Sequence, residues 1–164
     1  MIATSDELLT YLADLVEEIE RLAVTVLPPN AGDAIELGRE PDGSLVIDLE
    51  CRPPASRRSA PIDMEVFERW RSIGQDVYER SDYKFELRHR GLDYRRAFHR
   101  HDAEHFLDAY DVAMHEHCEA TLGHVVCGHH GGEPVADAHD GFERIYDAWL
   151  ANTKPNCNAL PCLG

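Results

Sequence analysis

Tyr83 to Phe98, near the middle of the chain, alternate with a period of two that no helix can sort. Tyr83, Phe85, Leu87 and His89 alternate with Lys84, Glu86 and Arg88. After Arg90-Gly91, Leu92, Tyr94, Arg96 and Phe98 alternate with Asp93, Arg95 and Ala97, and His99 and His101 follow in phase. Successive side chains of a strand point to opposite faces. A two-residue turn at Arg90-Gly91 pairs His89 with Leu92, Leu87 with Tyr94, Phe85 with Arg96 and Tyr83 with Phe98. One face is then apolar and aromatic, apart from Arg96 and the turn-end His89. The other carries Lys84, Glu86, Arg88, Arg95, His99 and His101. Such a hairpin demands an antiparallel sheet and something apolar to cover one side of it.

Two amphipathic helices can supply the cover. Thr4-Ser5-Asp6-Glu7 reads as a capping box, and Leu8, Leu12, Leu15, Ile19, Leu22 and Val26 mark one face of a long helix that Pro28-Pro29 stops. Near the other end, Phe142, Ile145, Tyr146, Trp149 and Leu150 recur at helical spacing before Lys154-Pro155. Between them, Ile35 and Leu37 lead through a Pro41-Asp42-Gly43 turn into Leu45, Ile47, Leu49 and Cys51, a second hairpin. Residues 52–61 read as a proline-rich loop. Asp63 to Arg71 reads as a short helix burying Val66, Phe67 and Trp70. Asp102 can cap another, carrying His105, Phe106 and Tyr110. Residues 111–119 read as a strand with Val112, Met114, Glu116 and Cys118 on one face and Ala113, His115 and His117 on the other; residues 123–134 must loop. The expected fold is α+β: one domain over residues 1–164, its antiparallel sheet packed on one face by the N- and C-terminal helices. Residues 1–60 form the helix and first hairpin, and residues 61–164 the His- and Cys-rich part.

Charge narrows the partners. The net charge is −15, yet residues 52–101 hold 12 of the 16 Lys/Arg, and 14 of the 16 are Arg. A basic centre between acidic flanks suits an anion such as phosphate or RNA, and equally a solvated surface. Overall acidity argues against non-specific DNA wrapping. No apolar run approaches the roughly 20 residues of a membrane span, and the acidic N-terminus lacks a signal-peptide pattern. The expected location is the cytoplasm. The acidic first helix is a candidate surface for a protein partner.

All ten histidines fall between His89 and His139. His99 and His101 share one strand face, as do His115 and His117. If the strands are adjacent, four imidazoles meet, which suits a transition metal or acid–base catalysis near pH 7. Asp102, Glu104, Glu116 and Glu119 are candidates to orient their rings. The cupin order, HExxH and the metallo-β-lactamase order are absent. The other candidate metal site is Cys118, Cys127, Cys157 and Cys162, a tetrahedral zinc set with His124, His129 or His130 as substitutes; free thiols or disulfides are the alternatives. GHHGGEP matches no phosphate loop.

From the hairpin onward, YKFELRHRGLDYRRAFHRHDAEHF followed by HEHCEATLGHVV resembles a group of small His-rich bacterial and archaeal proteins. More loosely it resembles the TumE-type toxins of toxin–antitoxin modules, over roughly residues 76–150. That resemblance implies a compact α+β domain and metal-free RNA cleavage, with Arg95 and Arg96 holding phosphate and His99, His101 and His117 moving protons. Two readings follow. One is a zinc-stabilised accessory or regulatory protein. The other is a toxin-like endoribonuclease in which Arg88, Arg95 and Arg96 bind phosphate and His99, His101, His115 and His117 are catalytic.

Overall fold

The computed structural model describes residues 1–27, 38–54, 62–101, 107–109 and 113–163. The fold is α+β, with an antiparallel sheet, an N-terminal helix and a C-terminal helix. In chain order the elements are β1 (Ile2–Thr4), α1 (Ser5–Arg21), β2 (Thr25–Val26), β3 (Gly38–Arg39), β4 (Leu45–Arg52), β5 (Ile62–Gly74), β6 (Val77–His89), β7 (Tyr94–Arg100), β8 (Met114–Glu119), β9 (His130–Gly131) and α2 (Ala138–Ala151), with a 3₁₀ turn at Cys157–Ala159. The sheet runs β2-β4-β5-β6-β7-β8-β9; β1 pairs with β6 and β3 with β4.

The helices form where the sequence places them. Thr4 caps α1, its side chain accepting from Glu7 N–H while the Glu7 carboxylate accepts from Thr4 N–H at 2.7 Å. The helix ends earlier than Pro28, because Ala23 turns left-handed at φ 52° and Val26 passes into β2. Asp137 caps α2 through Asp140 N–H, and a left-handed Asn152 closes it ahead of Lys154-Pro155. Leu12, Leu15 and Ile19 of α1 and Phe142 and Ile145 of α2 bury one sheet face together with Ile47, Leu49, Met64, Val66, Phe85, Leu87, Tyr94 and Phe98. The opposite face holds Lys84, Glu86 and Arg88 of β6, Arg95 and His99 of β7, and His115 and His117 of β8.

Three expectations are corrected. Residues 63–71 form no helix: they lie inside β5, where Ile62, Met64, Val66, Glu68 and Trp70 alternate inward and Phe67 turns to the polar face. The charged Glu68 interrupts the apolar alternation and hides its period, whereas Val66 and Trp70 alone also fit a helix. The central hairpin closes through residues 90–93, so His89 pairs with Tyr94, Leu87 with Arg96, Phe85 with Phe98 and Tyr83 with Arg100. Asp93 adopts φ 55° there, and Leu92 N–H donates to His89 Nδ1 at 3.0 Å. That is two residues from the expected register. A slip by an even number keeps every side chain on its face, so Arg96 stays with Phe98 and His99 stays opposite.

The third correction concerns the cysteines. Cys118 is bonded to Cys157 and Cys127 to Cys162, with Cα–Cα distances of 5.4 and 6.0 Å. All four do gather around one cavity of about 440 Å³ with His124 and His130. Their sulfurs are spent on S–S bonds, and a disulfide sulfur is not the thiolate that zinc takes. The expected zinc tetrad is therefore replaced by two covalent links. Of the short helix expected after Asp102, residues 107–109 are helical, while Asp102, His105, Phe106 and Tyr110 lie outside the described residues, as do Ile35 and Leu37. Among the described residues no helix is long and apolar enough to cross a membrane.

Candidate metal centre

The two His-x-His pairs meet. β7 and β8 are neighbours, and their register sets His99 opposite His115 and Ala97 opposite His117. Period two then brings His99, His101, His115 and His117 to the polar face. Ring centroids are 4.6 Å apart for His99 and His117, 5.4 Å for His99 and His115, 5.0 Å for His101 and His115, and 4.8 Å for His115 and His117. A fifth imidazole joins them from the glycine-rich loop: His129 lies 5.0 Å from both His115 and His117.

Within this group, His99, His115 and His117 each offer one nitrogen within 4.8 Å of the others and can hold a metal ion. Nε2 of His115 and Nε2 of His117 are 3.0 Å apart. Nε2 of His99 is buried and has no hydrogen-bond partner among the described residues. An orphaned buried polar atom costs about 1–3 kcal/mol unless something satisfies it.

The imidazoles are held neutral. Burial, then the repulsion of His117 and His115, lowers His99 to about 2. Burial, then His117, His101 and His129, lowers His115 to about 3. Burial, then Arg95 and His129, lowers His117 to about 4, while a backbone hydrogen bond with Gly128 pulls the other way. Burial also lowers His129, with His101 and His130 adding to it. Neutral imidazole is the metal-binding form.

The arginines are engaged. Arg95 donates to Glu86 at 2.7 Å and to Glu119 at 2.8 Å, and Arg88 pairs with the same Glu86. Arg96, on the apolar face, pairs with Glu116. None of the three expected phosphate ligands is therefore without a carboxylate. The expected ring-orienting acids have other tasks too: Glu116 is on the opposite face, and Glu119 also accepts from Gly123 N–H at 2.9 Å. Asp102 and Glu104 lie outside the described residues.

The Glu86 network makes a pH prediction. Burial pushes the Glu86 carboxyl up, but Arg95 and Arg88 outweigh it and hold it below its ordinary value. A carboxyl whose folded pKa lies below its unfolded one stabilises fully above the unfolded value, about 4.3, and loses that contribution as pH falls through the folded one. The stability gap between wild type and E86Q should be constant near neutrality and shrink below about pH 4.3. Urea unfolding at a series of pH values measures it; a gap that widens in acid contradicts the assignment.

Two groups escaped the sequence reading. His129 follows Gly128 in a loop without periodicity, so nothing placed it beside the strand histidines. Glu68 and Arg80 form a buried pair at 2.8 Å beneath the other sheet face, and only Glu68's position in an apolar alternation signalled it. No family model matches the chain, and no curated protein or solved structure matches it.

Proposed function

We propose that this chain binds one divalent transition metal, zinc by preference, through His99, His115 and His117. The observation that carries the reading is the 3.0 Å separation of the His115 and His117 Nε2 atoms. Two nitrogens bound to one tetrahedral zinc at about 2.0–2.1 Å lie roughly 3.3–3.4 Å apart, so this pair, which shares a hydrogen bond, needs to open by only a few tenths of an ångström to take one ion. The unpartnered Nε2 of His99 beside it supports the same reading. Three imidazoles leave a fourth position for water or another ligand. The zinc expected on the cysteines is thus proposed on the histidines instead, in a protein of accessory or regulatory type.

Acid–base cleavage of RNA draws less support. It needs one imidazole protonated near neutrality, and burial disfavours the charged form in each of the three. It also needs cationic groups for phosphate, and Arg88, Arg95 and Arg96 each face a carboxylate.

Metal titration of chelator-treated protein by calorimetry is the test. One zinc per chain is expected, with affinity lowered about 100-fold or more in H115A and in H117A, since even outer hydrogen-bond partners of such ligands are worth about 10–100-fold. Absence of binding, or unchanged binding in the H99A/H115A/H117A variant, rejects the reading. RNA cleavage that persists in chelator and disappears in H99A/H117A would establish the toxin-like alternative.

A further inference from the structure

We propose that the loop Cys127–Gly131 completes this metal site with His129 as a fourth imidazole, and that the Cys127–Cys162 disulfide holds the loop there, so that the oxidation state of that bond sets the metal affinity. The inference rests on the three-histidine reading above and adds a ligand and a control to it.

The loop touches the site twice. The His129 ring centroid lies 5.0 Å from those of His115 and His117, edge-on to both. The Gly128 backbone also lies near enough to the His117 imidazole to oppose the lowering of its pKa, and backbone groups commonly orient metal-binding histidines. The rest of the loop has little to hold it in place. β9 pairs with β8 only through His115 with Gly131 and Glu116 with His130. Its outer side is bonded by the C-terminal tail: Gly131 N–H donates to Pro161 O and Leu163 N–H to the carbonyl of His129 itself, both at 2.9 Å. Between Ala151 and Leu163 no side chain is fully buried, and the covalent ties of the tail are its two disulfides, Cys157 to Cys118 and Cys162 to Cys127. Strands of two residues are not stable without support. The covalent bond from Cys127 to Cys162 closes the ring formed by loop and tail two residues before His129.

The two disulfides differ in access. Cys118 is buried, whereas Cys162 is exposed. A dithiol reductant attacks the Cys162 sulfur, the S–S bond breaks and Cys127 leaves as a thiolate that takes a proton. The second thiol of the reductant then closes on the mixed disulfide and frees Cys162 as a thiol. Two electrons and two protons pass to the protein, and the reductant ends as a cyclic disulfide. His129 is then tied to the site by β9 and the backbone hydrogen bonds of the tail, without a covalent link from its own loop.

Cobalt(II) is the probe, because its visible bands report coordination number as well as affinity. Serine replaces cysteine so that freed thiols do not bind the ion themselves. H129A and C127S/C162S should each bind cobalt about 10–100-fold more weakly than wild type, with bands moved away from a four-imidazole pattern. Two changes that act through one ligand are not additive, so the combined variant should bind no more weakly than H129A. Cobalt binding that H115A abolishes and H129A leaves unchanged overturns the fourth ligand while sparing the three-histidine site. Loss in H129A without loss in C127S/C162S overturns the disulfide control. Wild type that binds no cobalt overturns both readings together. If C127S/C162S does not fold, wild type reduced in the native state and alkylated with iodoacetamide takes its place, with the same weakening expected and unchanged affinity as the contrary result.

Discussion

Replacing Arg80 by methionine should lower the free energy of unfolding by about 3–5 kcal/mol, the usual cost of removing one partner from a buried ion pair. Arg80 and Glu68 are both buried, and their charged groups are 2.8 Å apart. The Glu68 carboxylate also accepts from Tyr11 O–H at 2.8 Å and from Trp70 Nε1–H at 3.1 Å. The other arm of Arg80 reaches the carbonyls of Val135 and Ala136, 2.8 Å away for the latter, just ahead of α2. The Tyr11 hydroxyl oxygen in turn accepts from Ala138 N–H. One guanidinium therefore ties α1, β5, β6 and the start of α2 together. Burial already pushes the Glu68 carboxyl upward, and Arg80 pulls it back. Without Arg80 the carboxyl stays buried without its cation, and two backbone carbonyls lose their donor. Removing both charges as E68L/R80M should restore much of the loss, because a buried pair replaced by apolar groups is often neutral. Urea unfolding followed by circular dichroism decides: if R80M costs less than about 1 kcal/mol, the pair is not the structural tie described.

Gly141→Ala should destabilise, against the ordinary helix trend. In a helix interior, alanine is about 1 kcal/mol better than glycine. Gly141 lies in α2 against the sheet, and a Cβ placed there meets the Phe85 ring at 2.5 Å. Phe85 is itself fully buried in the centre of the core, so the ring has nowhere to retreat. Overpacking of this kind costs about 1–3 kcal/mol, enough to reverse the propensity gain. The variant should melt below wild type. F85L/G141A should melt above the sum of the two single changes, because the smaller side chain makes room for the new methyl. A G141A protein more stable than wild type would mean that α2 does not sit this close to β6.

Much of this architecture was legible because two periods do most of the sorting. Alternation from Tyr83 to His101 placed the histidines and the aromatic core on opposite faces even though the turn was read two residues short. Thr4 with Glu7 marked the start of α1, and the Phe142–Leu150 spacing marked α2. What stayed hidden depended on neighbours that are distant in sequence. Glu68 is tolerated inside β5 only because Arg80, Tyr11 and Trp70 converge on it, and no local pattern announces such a partner. His129 reaches the histidine cluster through a loop whose path is set by a bond to Cys162. The spacing of Arg88, Arg95 and Arg96 suits phosphate or solvent alike, and the carboxylates of Glu86, Glu116 and Glu119 that meet them are set by strand pairing. The cysteine spacing fitted zinc or disulfides alike, since both need the same four sulfurs near one another.

The outer margin of the sheet beyond β8 has a further consequence. β9 covers only His115 and Glu116 of the six-residue β8, and the tail adds a shorter piece beyond it. The margin thus descends in steps, each too brief to offer another chain a long row of open backbone groups. A flat, continuous edge is a template for pairing between molecules. This stepped one hinders the stacking of copies side by side, next to a face whose neutral imidazoles contribute little charge repulsion to keep them apart.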